Sequence, residues 1–142
     1  EAQWEYACRA GTRSAYSFGG DSGELYRYAN YADRNTNFSW SDKSHDDGFE
    51  NTSPVGKYPS NPWGFHDMHG NVWEWCADWY GDYPSGAVRD PVGPADGSYR
   101  VERGGSWRHS ANFARCAFRL RCAPAYSIIL LGFRLSLRPA RK

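Results

Sequence analysis

The sequence predicts an α+β fold that is irregular and loop-rich, with little regular secondary structure. Three observations carry that expectation. Periodicity comes only in short bursts, helical over residues 1–9 and alternating over residues 72–77 and 99–103. The chain is punctuated by 15 Gly and 8 Pro in 142 residues, which leaves little room for long elements. Aromatic residues make up 17 % of it, so rings must pin the loops in place of long helices and strands.

Taken in order, residues 1–9 set Trp4, Ala7 and Cys8 on one face of a short amphipathic helix, stopped by Gly11. Tyr16-Ser17-Phe18 reads as a short strand before a Gly19-Gly20 turn. Residues 21–50 have no period, and their single aromatics among Asn, Asp and Ser point to an ordered loop. Pro54, Pro59 and Pro62 fix φ and bias their predecessors to extended geometry, making residues 53–64 turn-rich. Val72, Glu74 and Cys76 alternate with Trp73, Trp75 and Ala77, as in a strand with one aromatic face. Residues 81–98 form another Gly/Pro/Asp loop. Residues 99–103 read as a strand leading into Gly104-Gly105, residues 115–121 alternate as well, and residues 132–137 read as the closing strand. There is no internal repeat or flexible linker, and the length suits one domain.

The net charge of +1 excludes nucleic-acid binding driven by total charge. Charge is unevenly placed: from Arg100 onward there are many Arg and a single carboxylate, Glu102, whereas residues 42–50 are acidic. Pairing of Arg115, Arg119, Arg121 and Arg134 with Asp78, Glu74 or Asp67 is the expected outcome. The apolar run Ile128-Ile129-Leu130-Leu131 is far below the roughly 20 residues of a membrane span, so no membrane insertion by this chain is expected. The chain starts at Glu1 without Met, so a signal segment could lie upstream, and the compartment, cytoplasmic or cell-surface, is left open. Cys8, Cys76, Cys116 and Cys122 show neither CxxC nor paired spacing and read as unlinked thiols in a reducing compartment.

The stretch from Gly104-Gly105-Ser106-Trp107 to Gly132-Phe133-Arg134-Leu135 has ends that look like buried framework and an interior that does not. Its apolar residues follow no period, so no single buried face collects them. Between Trp107 and Leu131 there is no Lys, Glu, Gln, Met or Trp. Those types cannot be reached when the adenines of an Asn codon are replaced at random. Ala111, Ala114, Ala117, Arg119 and Pro124 fit an unmutated frame between the varied positions. Candidate ligand-binding positions are Arg108, His109, Ser110, Asn112, Phe113, Cys116, Phe118, Leu120, Tyr126, Ser127, Ile128, Ile129 and Leu130. Clustered rings and aliphatics on loops, rimmed by Arg and His, make an apolar patch with a polar border, as interaction surfaces do. A rigid scaffold presenting such loops lowers the ordering cost of association. The opposing reading makes Phe118, Leu120 and residues 128–131 core strand residues.

Several motifs together resemble the formylglycine-generating-enzyme (sulfatase-modifying factor) domain, a variant of the C-type lectin fold. They are Glu1-Ala2-Gln3-Trp4-Glu5-Tyr6-Ala7, Tyr28-Ala29-Asn30, Asp47-Gly48-Phe49, Ser53-Pro54-Val55-Gly56, Asn61-Pro62-Trp63-Gly64-Phe65-His66-Asp67-Met68, Gly70-Asn71-Val72-Trp73-Glu74-Trp75, Arg103-Gly104-Gly105-Ser106-Trp107 and Gly132-Phe133-Arg134-Leu135. They run through nearly the whole chain in the family's order. The resemblance implies a C-type-lectin-like fold in which residues 1–142 are the C-terminal part of one domain, with the strands and helix that usually precede the Glu1 motif missing. Within the family the variation pattern is most similar to the variable proteins of diversity-generating retroelements, whose variable segment matches residues 104–135 here.

The resemblance also implies structural Ca²⁺. Asp67 and Glu74 would bind through side chains with Gly70 and Val72 through carbonyls. Asn30 and Asp47 would do the same with the carbonyls of Tyr31 and Phe49. Hard Ca²⁺ takes such mixed oxygen sets, and the first set is the preferred one. The alternative is that these carboxylates pair with Arg or cap turns. Enzymes of the family oxidise a substrate cysteine with two active-site cysteines, the first just after the Gly-Gly-Ser-aromatic motif. Arg108 and His109 stand there in this chain, and Cys116 falls one residue off the place of the second, counted back from Arg121-Cys122. A Cu(I) site needs two converging thiolates, so no catalytic residue is expected. Related iron-dependent sulfoxide synthases carry their metal histidines on another domain, and His45, His66, His69 and His109 show no ligand spacing. The expected function is a non-catalytic module displaying a diversified surface to a protein or other macromolecular ligand. An oxidoreductase of the formylglycine-generating or sulfoxide-synthase type and a structural accessory domain are the alternatives.

Overall fold

A computed structural model of the chain describes residues 1–137. It contains a mixed four-stranded sheet and few helices. Helix α1 (Ala2–Arg9) opens the chain with Cys8 buried beneath it. It stops one residue before the expected glycine: Ala10 itself takes the left-handed conformation, φ 46°, and donates its N–H to the Tyr6 carbonyl. Residues 16–19 close as a tight turn instead of a strand, with Tyr16 and Gly19 exchanging backbone hydrogen bonds of 2.9 and 3.2 Å. Part of the expected 21–50 loop is a 3₁₀ helix, Ser22–Arg27, whose N-terminus is capped by the Asp21 carboxylate accepting from the Gly23 N–H.

Strand β1 (Trp73–Trp79) is the centre of the sheet, flanked by β2 (Arg100–Arg103) antiparallel and β4 (Leu131–Gly132) parallel, with β3 (Arg119–Cys122) outside β2. Glu74 faces Arg103 and Trp75 faces Glu102; the register slips before Trp79 pairs with Arg100. Two expected strands are shorter than their alternation suggested. The 115–121 segment pairs only from Arg119, because residues 111–114 coil into a 3₁₀ turn first. The closing strand is reduced to Leu131–Gly132, and Phe133, Leu135 and Leu137 beyond it are exposed.

Two buried clusters fill the interior. Tyr16, Leu25, Ala29, Tyr31 and Ala114 make one; Cys8, Met68 and Cys116, covered by Trp4 and Ala7, make the other. Polar residues are equally deep. Arg103 is fully buried, ion-paired to Glu5, donating to the Phe118 carbonyl and lying 5.3 Å from the Trp4 ring. Gly70, at φ 73°, permits the closest approach in the frame: a Cβ there would lie 2.1 Å from the Asn30 carbonyl oxygen. Among the tail arginines, Arg134 meets Glu74 as expected. Arg119 pairs instead with the Glu1 carboxylate, Arg121 lies over the Tyr80 and Tyr99 rings, and Arg115 donates to the Asn112 carbonyl. No described helix is long and apolar enough to cross a membrane.

Candidate functional site

The segment after Trp107 is held by its backbone. Trp107 donates to the Asn71 carbonyl at 2.9 Å, and His109 donates to the Ser106 carbonyl while accepting from Ala32. The Trp40 indole N–H donates to the Arg108 carbonyl at 2.9 Å, and the Tyr16 hydroxyl donates to the Ala111 carbonyl at 2.9 Å. At the far end the Leu130 carbonyl accepts from Trp73 at 2.7 Å. None of these bonds uses a side chain of a candidate position; His109 adds one that does, its Nδ1 lying 2.7 Å from the hydroxyl of buried Ser106.

Where the side chains go differs along the segment. Arg108, Asn112, Tyr126, Ser127 and Ile129 are exposed, Ile129 by 74 %. His109, Ser110, Phe113, Phe118, Leu120, Ile128 and Leu130 are half-buried. Three of these gather on the buried Trp73 ring: His109 at 5.4 Å, Phe118 at 6.0 Å and Phe113 at 6.3 Å between centroids. Phe113 in turn touches both His109 (4.9 Å) and Phe118 (4.8 Å). The result is an aromatic platform with its outer faces in solvent. Cys116 departs from the set. It is fully buried beside Cys8, because its backbone N–H is tied to the Ala15 carbonyl and turns the side chain inward. It cannot meet a ligand at the surface as the others can, and the expectation for it is corrected.

Two rings that sequence reasoning passed over complete the surface. Phe38 and Trp40, at i and i+2 in the aperiodic 21–50 stretch, stack at 4.9 Å. The Arg108 guanidinium sits 5.0 Å from the Phe38 ring, a cation–π contact. Burial, and then the Arg108 charge, hold the His109 imidazole below its usual range, so the positive border comes from Arg108 and from Arg115, whose guanidinium lies 5.9 Å from the Phe118 ring. The cleft bounded by Trp40, Asp42, Ser110 and Asn112 measures about 230 Å³. That is below the roughly 300–1000 Å³ of enclosed small-molecule sites, so the surface suits a macromolecular contact better. A larger cleft of about 1020 Å³ opens between α1 and residues 81–94; none of the thirteen positions lines it, but Ala117 and Arg119 beside them do.

The two oxygen sets are placed very differently. Glu74 is already neutralised: Arg134 donates to both its carboxylate oxygens at 2.8 and 3.0 Å, and the Trp4 indole adds a third bond at 2.7 Å. Asp67 accepts from the Gly56 N–H through one oxygen, while the other is buried without a protein partner. In the second set Asn30 is fully buried and its amide oxygen has no protein partner. Asp47, also buried, accepts from the Tyr31 and Phe49 N–H groups at 2.8 and 2.9 Å, and no described cationic side chain pairs with it. Burial, followed by the neighbouring Asp33 and Asp46 charges, pushes its carboxyl up to about 7 against the pull of those hydrogen bonds. An orphaned amide oxygen beside an unneutralised buried carboxylate is a donor set that fits a hard cation; the Arg134-paired set fits one less well.

The other association invisible in the sequence is that of Cys8, His69 and Cys116, whose ligand atoms lie within 4.8 Å of one another. Their spacing carries no motif because the contact is tertiary.

The family model described as sulfatase-modifying factor enzyme 1-like domain matches residues 1–139. The chain is 35 % identical over 145 residues to the formylglycine-generating enzyme of Mus musculus, covering 94 % of this chain and 37 % of that one. To the serine/threonine-protein kinase pkn1 of Chlamydia caviae it is 47 % identical over 98 residues, 66 % of this chain and 16 % of the kinase. Among solved structures, the Treponema denticola variable protein 1 matches at a TM-score of 0.77 and 37 % identity, over 93 % of this chain and 44 % of that chain. The chain spans less than half the length of each of these relatives.

Proposed function

The chain belongs to the sulfatase-modifying factor enzyme 1-like domain family, and from that premise we propose that it is a non-catalytic ligand-binding protein. Its 108–130 surface is diversified, in the manner of retroelement variable proteins, to recognise a protein or other macromolecular ligand. The carrying observation is the division of labour in that segment: backbone bonded to a buried frame, and twelve of thirteen candidate side chains reaching solvent at least in part. The similarity to the Treponema denticola variable protein 1 supports the same reading. The position after Gly-Gly-Ser-Trp, where the family's enzymes carry their first cysteine, holds Arg108 and His109, which offer no thiolate to copper.

Structural calcium belongs to the proposal, held by the Asn30 and Asp47 side chains with the Tyr31 and Phe49 carbonyls. The orphaned Asn30 oxygen and the unpaired Asp47 carboxylate support that set over Asp67, Gly70, Val72 and Glu74, where Arg134 already supplies the positive charge.

Sequencing the DNA beside the coding region tests the diversification. A near-identical repeat is expected, with adenines at the varied codons and agreement elsewhere. Absence of any such repeat removes the retroelement reading. An oxygen-uptake assay with copper and a cysteine-containing peptide tests the catalytic alternative; turnover abolished by Cys116→Ala overturns the non-catalytic assignment.

A further inference from the structure

Cys8 lies on the inner face of α1 and Cys116 follows the 3₁₀ turn Ala111–Ala114, 108 residues later. Their sulfurs are 3.4 Å apart, with the Cys8 thiol donating to Cys116, and both side chains are fully buried. His69 adjoins them, with both ring nitrogens 3.9 Å from the Cys8 sulfur. Two thiols and an imidazole suggest a soft-metal site, but the imidazole is already committed. Its Nδ1 donates to the Ala114 carbonyl at 2.7 Å, and its Nε2 accepts from the Ser17 N–H at 3.1 Å with the Ser17 hydroxyl at 2.9 Å. Equal distances to both nitrogens also place the sulfur along neither lone pair. What remains is a pair of thiols facing each other in a dry interior.

We propose that Cys8 and Cys116 are a disulfide-forming pair that covalently ties α1 to the base of the diversified segment, oxidised by a small-molecule disulfide. The sulfurs need only approach from 3.4 Å to about 2 Å. The Cys116 thiolate attacks one sulfur of the reagent and releases a thiolate, leaving a mixed disulfide on Cys116. The Cys8 thiolate then attacks the Cys116 sulfur and releases the second. The protein loses two electrons and two thiol protons, and the reagent is reduced to two thiols. Cys116 is the first nucleophile because the Cys8 thiol donates to it, and next because the Arg9 charge favours its thiolate; both hold its pKa below the usual thiol value against the effect of burial. Since both sulfurs are sealed, exchange waits on local opening of the α1 contact and is slow. The closed bond leaves Arg108 to Leu130 on a frame that can no longer part from α1. This cross-link stands independently of what the surface binds.

The test uses the chain with Cys76→Ser and Cys122→Ser in place, so that Cys8 and Cys116 are the remaining thiols. After prolonged incubation with oxidised glutathione, alkylation in denaturant is expected to find no free thiol, and peptide mapping a linked Cys8–Cys116 pair. The melting temperature is expected to rise by roughly 10 °C and to return on reduction. Further Cys8→Ser substitution removes the shift and leaves Cys116 as a glutathione adduct that a reductant releases. Two persistent free thiols, or glutathione adducts that never resolve into the internal bond, overturn the proposal. So does stoichiometric zinc or copper(I) uptake by the reduced protein that is lost on His69→Ala, which assigns the cluster to a metal instead.

Discussion

Arg103 and Arg108 are five positions apart and belong to opposite regimes. Arg103 is sealed from water, its guanidinium spent on Glu5, the Phe118 carbonyl and the Trp4 ring. Arg108 is exposed, and the frame uses only its carbonyl, as acceptor for Trp40. The same contrast runs through the two regions. In the frame, side chains such as Asn61, Asn71 and Glu74 satisfy backbone or partner groups, so their identity is fixed by buried hydrogen bonds. In the 108–130 segment the backbone does most of that work, the side-chain exceptions being His109 on Ser106, Arg119 on Glu1 and the buried Cys116. A surface can be rewritten without unfolding the protein when its own main chain carries the structural bonds. The aromatic platform on Trp73 is intermediate: Phe113 and Phe118 lend packing to the frame while keeping a face outside.

Four measurements test this contrast. Gly70→Ala is expected to have the largest effect, about 3 kcal/mol or more in urea denaturation, since its Cβ would collide with the Asn30 carbonyl at a positive φ. A tolerated alanine there means that the frame is not rigid at its tightest point. Arg103→Met follows, with a loss of roughly 2–3 kcal/mol, tempered because Glu5 is partly exposed and can recover water.

Third comes pH. The Asp47 and Glu102 carboxyls are each raised by burial to about 7, so the folded state binds protons more tightly than the unfolded chain. Without calcium, the contribution of these two groups is therefore greatest below the unfolded values near 4 and is lost, by several kcal/mol in total, as pH rises through 7, while Asp42 and Asp46, whose carboxyls are held low, act in the opposite sense. Saturating calcium is expected to reverse that slope by favouring ionised Asp47, and Asp47→Asn to abolish the calcium response. Melting curves that ignore calcium at neutral pH remove the cation from the proposal. The smallest effect is expected from Arg108→Ala, Asn112→Ala and Ile129→Ser, each within about 0.5 kcal/mol by the same denaturation assay. A loss of several kcal/mol at any of them reassigns that position to the frame.

Much of this could be read along the chain. Helix α1, a strand from Trp73 and the glycine pair before Trp107 each rest on local periodicity or local backbone demands, and each is in place, although β1 buries Glu74 and Cys76 as well as Trp73 and so lacks the single aromatic face expected of it. The 3₁₀ helix after Asp21 was legible in principle from its capping carboxylate, but six residues are too few to show a period. The arginine pairings were less legible, because long side chains choose among acids that only the folded chain brings near. Arg134 reached Glu74, whereas Arg119 went to Glu1.

Helix α1, the start of β1 and the left-handed glycine pair at 104–105 follow from the amino-acid order alone, because backbone geometry and hydrophobic period are local properties. Packing alone turns Cys116 inward to meet Cys8, sets Phe38 and Trp40 beside Arg108, and leaves Asp47 without a cationic partner among the described residues. Each of these depends on contacts between residues far apart in the chain, where proximity follows from packing and leaves no spacing to read.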